Sequence, residues 1–371
     1  MTLTPPASPL STLVLLAAYL LSGGSNAPLP PARSVAQTPP SVVETRPAQP
    51  ATAGVRRPVV LGYYAQFSPT DLAAQRSLAS HRSELTSVVP LWYSLAADGS
   101  LTRRGYDRRP LLSVTGAARL PVLALVTNAG MNNAVLTDPA ARRRGVEALY
   151  QLVRASGLAG VNIDFEGLKP SSGPGLTAFL RQLYGRLHPE GYLVTAAVAA
   201  RQSADPSAND WVAAYDYGAL APWVDYLVVM AYDQHWQTGT AGPVAGLGWV
   251  EQTVRYAVSQ VPREKIVLGL AGYGYDWGSD GSNAVVPAAE AEGLARRYGT
   301  RLAWDDASSE PTFTYWRGGV KHEVWVENSY AVELRLALAA RYRLGGVALW
   351  RLGQEEDRLW TVLGRFAGTR S

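Results

Sequence analysis

"GVNIDFEGL", residues 160–168, alternates three polar side chains, Asn162, Asp164 and Glu166, with Val161, Ile163 and Phe165. In a strand, successive side chains point to opposite faces, and residues two apart lie about 6.6 Å apart on one side. One face of this stretch therefore carries an amide and two carboxyl groups, while the other carries three large apolar groups. Burying carboxylates is costly, and no Lys or Arg within the stretch neutralises them. The pattern predicts a strand whose apolar face packs under helices. Its polar face would open, at the carboxyl end, onto a site of chemistry.

Around it the chain alternates β-rich runs with helical ones. The strand-like runs are 59–67 (VVLGYYAQF), 85–95 (LTSVVPLWYSL), 120–128 (LPVLALVTN), 158–167, 192–200 (YLVTAAVAA), 224–233 (VDYLVVMAYD), 265–275 (KIVLGLAGYGY) and 344–352 (LGGVALWRL). Leu176, Phe179, Leu180, Leu183 and Leu187 recur at helical spacing after the opening stretch. Eight such strands in βα alternation predict an α/β fold, a (β/α)8 TIM barrel over 58–368. A doubly wound sheet would carry a Gly-rich phosphate loop after its first strand, and "GYYAQF" is not one. Residues 276–327 are too long for a simple connection and hold their own strand-like pieces, "PTFTYW" and "HEVWVE". They predict a small α+β insertion between strands 7 and 8.

Composition narrows the rest. The chain has 371 residues, 47% hydrophobic, which is ample for one large core. It has no cysteine, so disulfides, thiolate metal sites and Cys nucleophiles are excluded. The net charge of +4 rests on arginine, with Lys169, Lys265 and Lys321 the only lysines; no compact basic run marks a nucleic-acid partner. "LVLLAAYLL" (13–21) followed by small residues reads as a signal peptide or N-terminal anchor over 1–27. Gly24 stands where a lipidated Cys would be needed, so lipid attachment is not expected. Residues 28–57, rich in Pro and Ala, read as a linker. A secreted, periplasmic or envelope-associated protein is the expectation.

Two carboxyls this close disfavour each other's ionisation, so one keeps its proton near neutrality. Glu166 as general acid beside a charged Asp164 suits cleavage of a glycosidic bond, where the leaving oxygen needs a proton as positive charge grows on the sugar. A metal-dependent barrel hydrolase would need His-x-His or a third inward carboxylate. His81, His188, His235 and His322 are scattered, and His235 is left out of the catalytic set. No metal or cofactor is expected.

The stretch resembles the fourth-strand signature D-x-x-D-x-D-x-E of glycoside hydrolase family 18, the chitinase-like family. Ala159, Asn162, Asp164 and Glu166 stand at its four positions, so the last two match and the first two depart. "MAYD" (230–233), "KIVLGLAGYGYDW" (265–277) and "GGVALWRLGQEED" (345–357) resemble the family's sixth-, seventh- and eighth-strand motifs. The "NIDFE" variant is similar to a bacterial branch that lyses spore cortex and peptidoglycan.

The resemblance implies substrate-assisted, retaining cleavage of GlcNAc-containing polysaccharide: peptidoglycan, chitin or chito-oligosaccharide. The 2-acetamido oxygen would attack its own anomeric carbon, Glu166 would act as acid and then base, and Asp164 would orient the acetamido N–H. Tyr232 would donate to the acetamido oxygen, Asp233 would bind the same sugar or support Glu166, and Trp350 would floor the ring. Asn162, Met230, Tyr64 and Trp92 complete the expected binding set. Asn162 cannot titrate but can donate to Asp164, so Asp164 is expected to stay charged throughout the working range. A non-catalytic carbohydrate-binding relative is the alternative, disfavoured because Glu166 is present. A monomer without an obligate protein partner is expected.

Overall fold

The computed structural model describes residues 27–28, 57–103, 107–205 and 211–368. The expected leader and linker therefore lie, apart from Ala27, Pro28 and Arg57, outside the described residues. Ala27–Pro28 pairs antiparallel with a short strand, Leu101–Arg103.

Eight parallel strands form the barrel: β1 (Val59–Tyr64), β2 (Ser87–Leu95), β3 (Leu123–Asn128), β4 (Gly160–Asp164), β5 (Leu193–Ala199), β6 (Tyr226–Met230), β7 (Ile266–Leu270) and β8 (Gly346–Leu349). Each pairs with the next, and β8 pairs with β1, so the eight strands close into a barrel; Leu101–Arg103 extends the sheet from the end of β2. The opening alternation produces the expected split. Val161, Ile163 and Phe165 join the core between strands and helices, where Phe165 meets Phe179 at 5.1 Å between ring centres. A separate inner core of Leu61, Tyr63, Leu91, Leu125, Val228 and Val267 fills the barrel. Gly160 is fixed by close approach: a Cβ there would lie 2.0 Å from the Leu193 carbonyl oxygen on β5.

Helices return the chain outside. The helix Pro139–Ser156 shows the local logic. Asp138 accepts from the Ala140 N–H, Pro139 takes the first turn, and Gly157 ends it at φ +62°. Helix Gly173–Leu187 buries Leu176, Phe179, Leu180, Leu183 and Leu187.

The seventh run is not one strand. Gly272 at φ +66° turns the chain out of the barrel after Leu270, and Tyr273–Gly278 joins a second, five-stranded antiparallel sheet. That sheet continues through Ala284–Pro287, Ala303–Asp305, Glu310–Arg317 and Val320–Val326. Helix Ala288–Arg297 covers one of its faces, packing Ala291 and Ala295 on Phe313, Tyr315 and Val324. The additional sheet thus begins at Tyr273 rather than at 276. Periodicity could not show the break, because both sides of it are β-rich.

Candidate active site

Strand β4 ends at Asp164, so Glu166 sits just past it on the loop rather than within the strand; Gly167, at φ +64°, turns the chain away. The Glu166 backbone is fixed from β3. Asn128 at the end of that strand donates to the Glu166 carbonyl (2.8 Å) and accepts from its N–H (2.9 Å). Asn133 adds contacts to the Gly167 carbonyl and the Lys169 N–H. Tyr215 closes the other side by donating to the Phe165 carbonyl at 2.7 Å. Neither these asparagines nor Tyr215 stand out in the sequence; a polar residue ending an apolar strand, as in "VTN", is the signal that could have found Asn128.

Asp164 and Glu166 face one another within hydrogen-bonding reach, and both carboxyls are pushed up. For Glu166 the causes are burial, then the charges of Asp164 and Asp233, then its bond to Asp164. For Asp164 burial dominates and the bond to Glu166 opposes it. Glu166 is thus the proton holder of the pair. Burial raises the Asp164 carboxyl to about 7, which works against the expectation that it stays charged over the whole working range. Its Oδ1 is buried and makes no hydrogen bond within the protein.

Asn162 does not serve Asp164. Its amide donates to Thr195 Oγ1 on β5 at 2.7 Å, and its Oδ1 accepts from the Tyr63 hydroxyl at 3.3 Å. It lies fully buried, below the carboxyl pair, as a cross-barrel tie.

Strand β6 ends at Met230; Ala231 packs outward into the core, and Tyr232 and Asp233 turn into the site. The Tyr232 ring lies over Gly269 of β7, where a Cβ would come within 2.8 Å of it. Burial, then Tyr63, Asp164, Asp233 and Glu166, raise the Tyr232 hydroxyl well above its ordinary value, so it is a donor at working pH. Asp233 adopts φ +57°, a left-handed conformation that Asp tolerates better than most residues. Its Oδ1 accepts from Tyr273 (2.6 Å) and Tyr275 (2.8 Å), both from the second sheet. Burial raises its carboxyl to about 6, and the two tyrosines hold it from rising further. Met230 shares the inward parity of Val228 and stays partly accessible. Trp350, just past β8, packs edge-on against Tyr63 at 5.4 Å and borders both the barrel interior and the Tyr273–Trp277 cluster.

Two expected binding residues are not at the mouth. Tyr64 points outward into the core beneath the helices, and Tyr63 takes the inward place. Both faces of β1 are apolar, so the pattern carried no parity signal. Trp92 stands at an irregularity in the β2–β3 pairing and packs outward under the Arg108 guanidinium, 4.5 Å from its ring centre. Among the described residues no group of three or more His, Asp or Glu is placed to hold a metal ion.

A raised acid, a neighbouring carboxylate and an aromatic shelf thus converge at the carboxyl end of a closed parallel barrel. The family model "Glycosyl hydrolases family 18" matches residues 59–355. The chain belongs to that family. It is a glycosidase, and the (β/α)8 barrel is the family's. It is 32% identical over 305 residues to YdhD of Bacillus subtilis, covering 79% of this chain and 71% of that protein. It is 27% identical over 292 residues to the cortical fragment-lytic enzyme of Bacillus anthracis, covering 75% and 67%. A chitinase from Chromobacterium violaceum superposes with a TM-score of 0.77 at 29% identity, covering 84% of this chain and all of that one.

Proposed function

We propose that this family 18 glycosidase hydrolyses β-linked N-acetylglucosamine polymers by substrate-assisted, retaining catalysis. The observation that carries the reading is the pair Asp164–Glu166: one carboxyl held protonated by burial and like charge, the other presenting a buried acceptor that no protein donor uses. Glu166 protonates the glycosidic oxygen. The sugar's own acetamido oxygen attacks the anomeric carbon, while Asp164 Oδ1 accepts the acetamido N–H and offsets the charge developing there. The Tyr232 hydroxyl donates to the acetamido oxygen and steers it. Glu166, now a carboxylate, deprotonates the water that opens the oxazolinium ring. Asp233, held by its two tyrosines, places negative charge near Glu166 and keeps that acid loaded. Trp350 offers an apolar face to the pyranose ring.

The names of the relatives point to two substrates, the spore cortex and chitin, and a peptidoglycan cortex would share this chemistry with chitin. Either polymer lies outside the cytoplasm, in keeping with the leader expected over 1–27; fractionation of expressing cells tests that placement. The deciding experiment is mass spectrometry of products from defined GlcNAc oligomers and from purified peptidoglycan, for wild type and Glu166→Gln. Cleavage by wild type, lowered at least about a hundredfold in the variant, is expected. Intact substrates with wild type, or an active variant, would end the proposal.

A further inference from the structure

Behind the loop that carries Asp233, three side chains are almost wholly buried together: Glu310 at 0%, Glu327 at 1% and Arg335 at 1% exposure. Arg335, on helix Ser329–Arg341, lies 3.1 Å from Glu310 Oε1 and, through Nε, 3.3 Å from Glu327 Oε1. It also donates to the carbonyls of Ala245, Ser309 and Ala331. A buried ion pair is a poor device for stability alone, since apolar side chains of similar volume do as well or better. What these groups supply is fixed geometry: Glu310 applies it to backbone beside Asp233, and Glu327 to backbone that leads to the tyrosines holding Asp233.

Glu310 accepts from two consecutive N–H groups, Val244 and Ala245, each at 2.8 Å. The Val244 carbonyl accepts from the Gln234 N–H at 2.8 Å, and the Gln234 side chain accepts from Gly246 at 2.9 Å. Gln234 is the residue after Asp233. Glu327 accepts from Ala271 (2.5 Å) and Gly272 (3.4 Å), at the point where the chain leaves β7. One residue further on is Tyr273, whose hydroxyl holds Asp233, with Tyr275 beside it. The loop that carries Asp233 and the strand that carries its two donors are thus each pinned by one carboxylate, and one guanidinium joins the carboxylates.

We propose that Glu310, Glu327 and Arg335 form a positioning unit that sets Asp233 against Tyr273 and Tyr275, and through Asp233 the acid Glu166. The catalytic part of this inference rests on the hydrolase reading above; the geometric part does not. A merely structural triad would lower stability without acting through Asp233.

The test uses Glu327→Gln in the full chain, with Glu310→Gln as a second variant reached from the other side should the first not fold. The Asp233 carboxyl is followed by carbon-13 NMR without ligand. Removing a nearby negative charge alone lowers the Asp233 midpoint, whereas losing the tyrosine donors raises it. An upward shift in either folded variant is expected; a downward or absent shift overturns the proposal. In the kinetic arm, Glu327→Gln lowers kcat about tenfold in wild type and less than about twofold in an Asp233→Asn background. Losses that multiply across the two backgrounds also overturn it. If wild type cleaves none of the polymers, the hydrolase reading fails while the NMR arm still decides the positioning role.

Discussion

At the residue scale the proposed mechanism depends on one carboxyl, Glu166, kept in its protonated range. In that mechanism Glu166 must carry a proton to act as acid, and its folded-state value lies above that of an ordinary glutamic acid. Activity therefore extends above the usual carboxylate range and is lost as pH rises through the raised value. Asp164→Asn removes the neighbouring negative charge, so the alkaline limb of kcat/KM should move to lower pH in whatever activity remains; a limb that stays in place would contradict the coupling. The same burial has a stability sign. A raised acid favours the fold fully below its unfolded value, and that contribution is lost as pH rises toward the folded one. Glu166→Gln should therefore raise the melting temperature, with a gain that grows from about pH 5 to pH 8. Calorimetry across that range checks it, and an equal or lower melting temperature at pH 8 counts against the argument. Asp164 and Glu166 were legible in the sequence because two polar groups in a period-2 apolar run have one natural face. Tyr63 was not, because its strand is apolar on both faces. Asp233 could be named from its motif, but its left-handed backbone and tyrosine partners lie in tertiary contacts.

At the element scale, strands and loops trade side-chain volume for proximity. Gly269 on β7 leaves room for Tyr232 from β6, and an added Cβ would also meet the Val229 carbonyl oxygen at 2.7 Å. Gly269→Ala should displace the Tyr232 hydroxyl and lower kcat about tenfold or more. Steady-state kinetics on a GlcNAc oligomer, paired with circular dichroism to confirm the fold, reads the result; unchanged kcat would mean that Tyr232 tolerates displacement. The two-residue turn at Gly318–Gly319, with φ +59° and +84°, joins the longest hairpin of the second sheet. Its two strands were visible in the sequence as the β-rich pieces "PTFTYW" and "HEVWVE"; their pairing as a hairpin was not read there. The end of β7 was not visible, since "LAGYGY" reads as strand on both sides of Gly272.

At the scale of the whole molecule, the barrel and the second sheet have their own apolar cores and share the Tyr273–Trp277 cluster, the Glu310–Arg335–Glu327 cluster and the Tyr–Asp233 bonds. Buried charges give the two parts a common fate, because separating them would leave a guanidinium or a carboxylate unpaired in a dry place. Val324→Ala, at a fully buried position of the second sheet, should cost about 1–3 kcal/mol and lower a single calorimetric transition. Two resolved transitions would show that the sheet melts by itself.

The sequence by itself determined the alternation of strands and helices, the shared face of the carboxyl pair and the existence of an added α+β segment. Each of these is written in local periodicity, which reports which side of an element must leave water. The tertiary structure alone decided which of Tyr63 and Tyr64 looks inward, that Asn162 ties β4 to Tyr63 and Thr195, and that Asp233 draws its donors from the second sheet. It also decided that burial raises the Asp164 carboxyl. These depend on the distance between groups far apart in the chain and on how much water remains between them, and no local pattern encodes either.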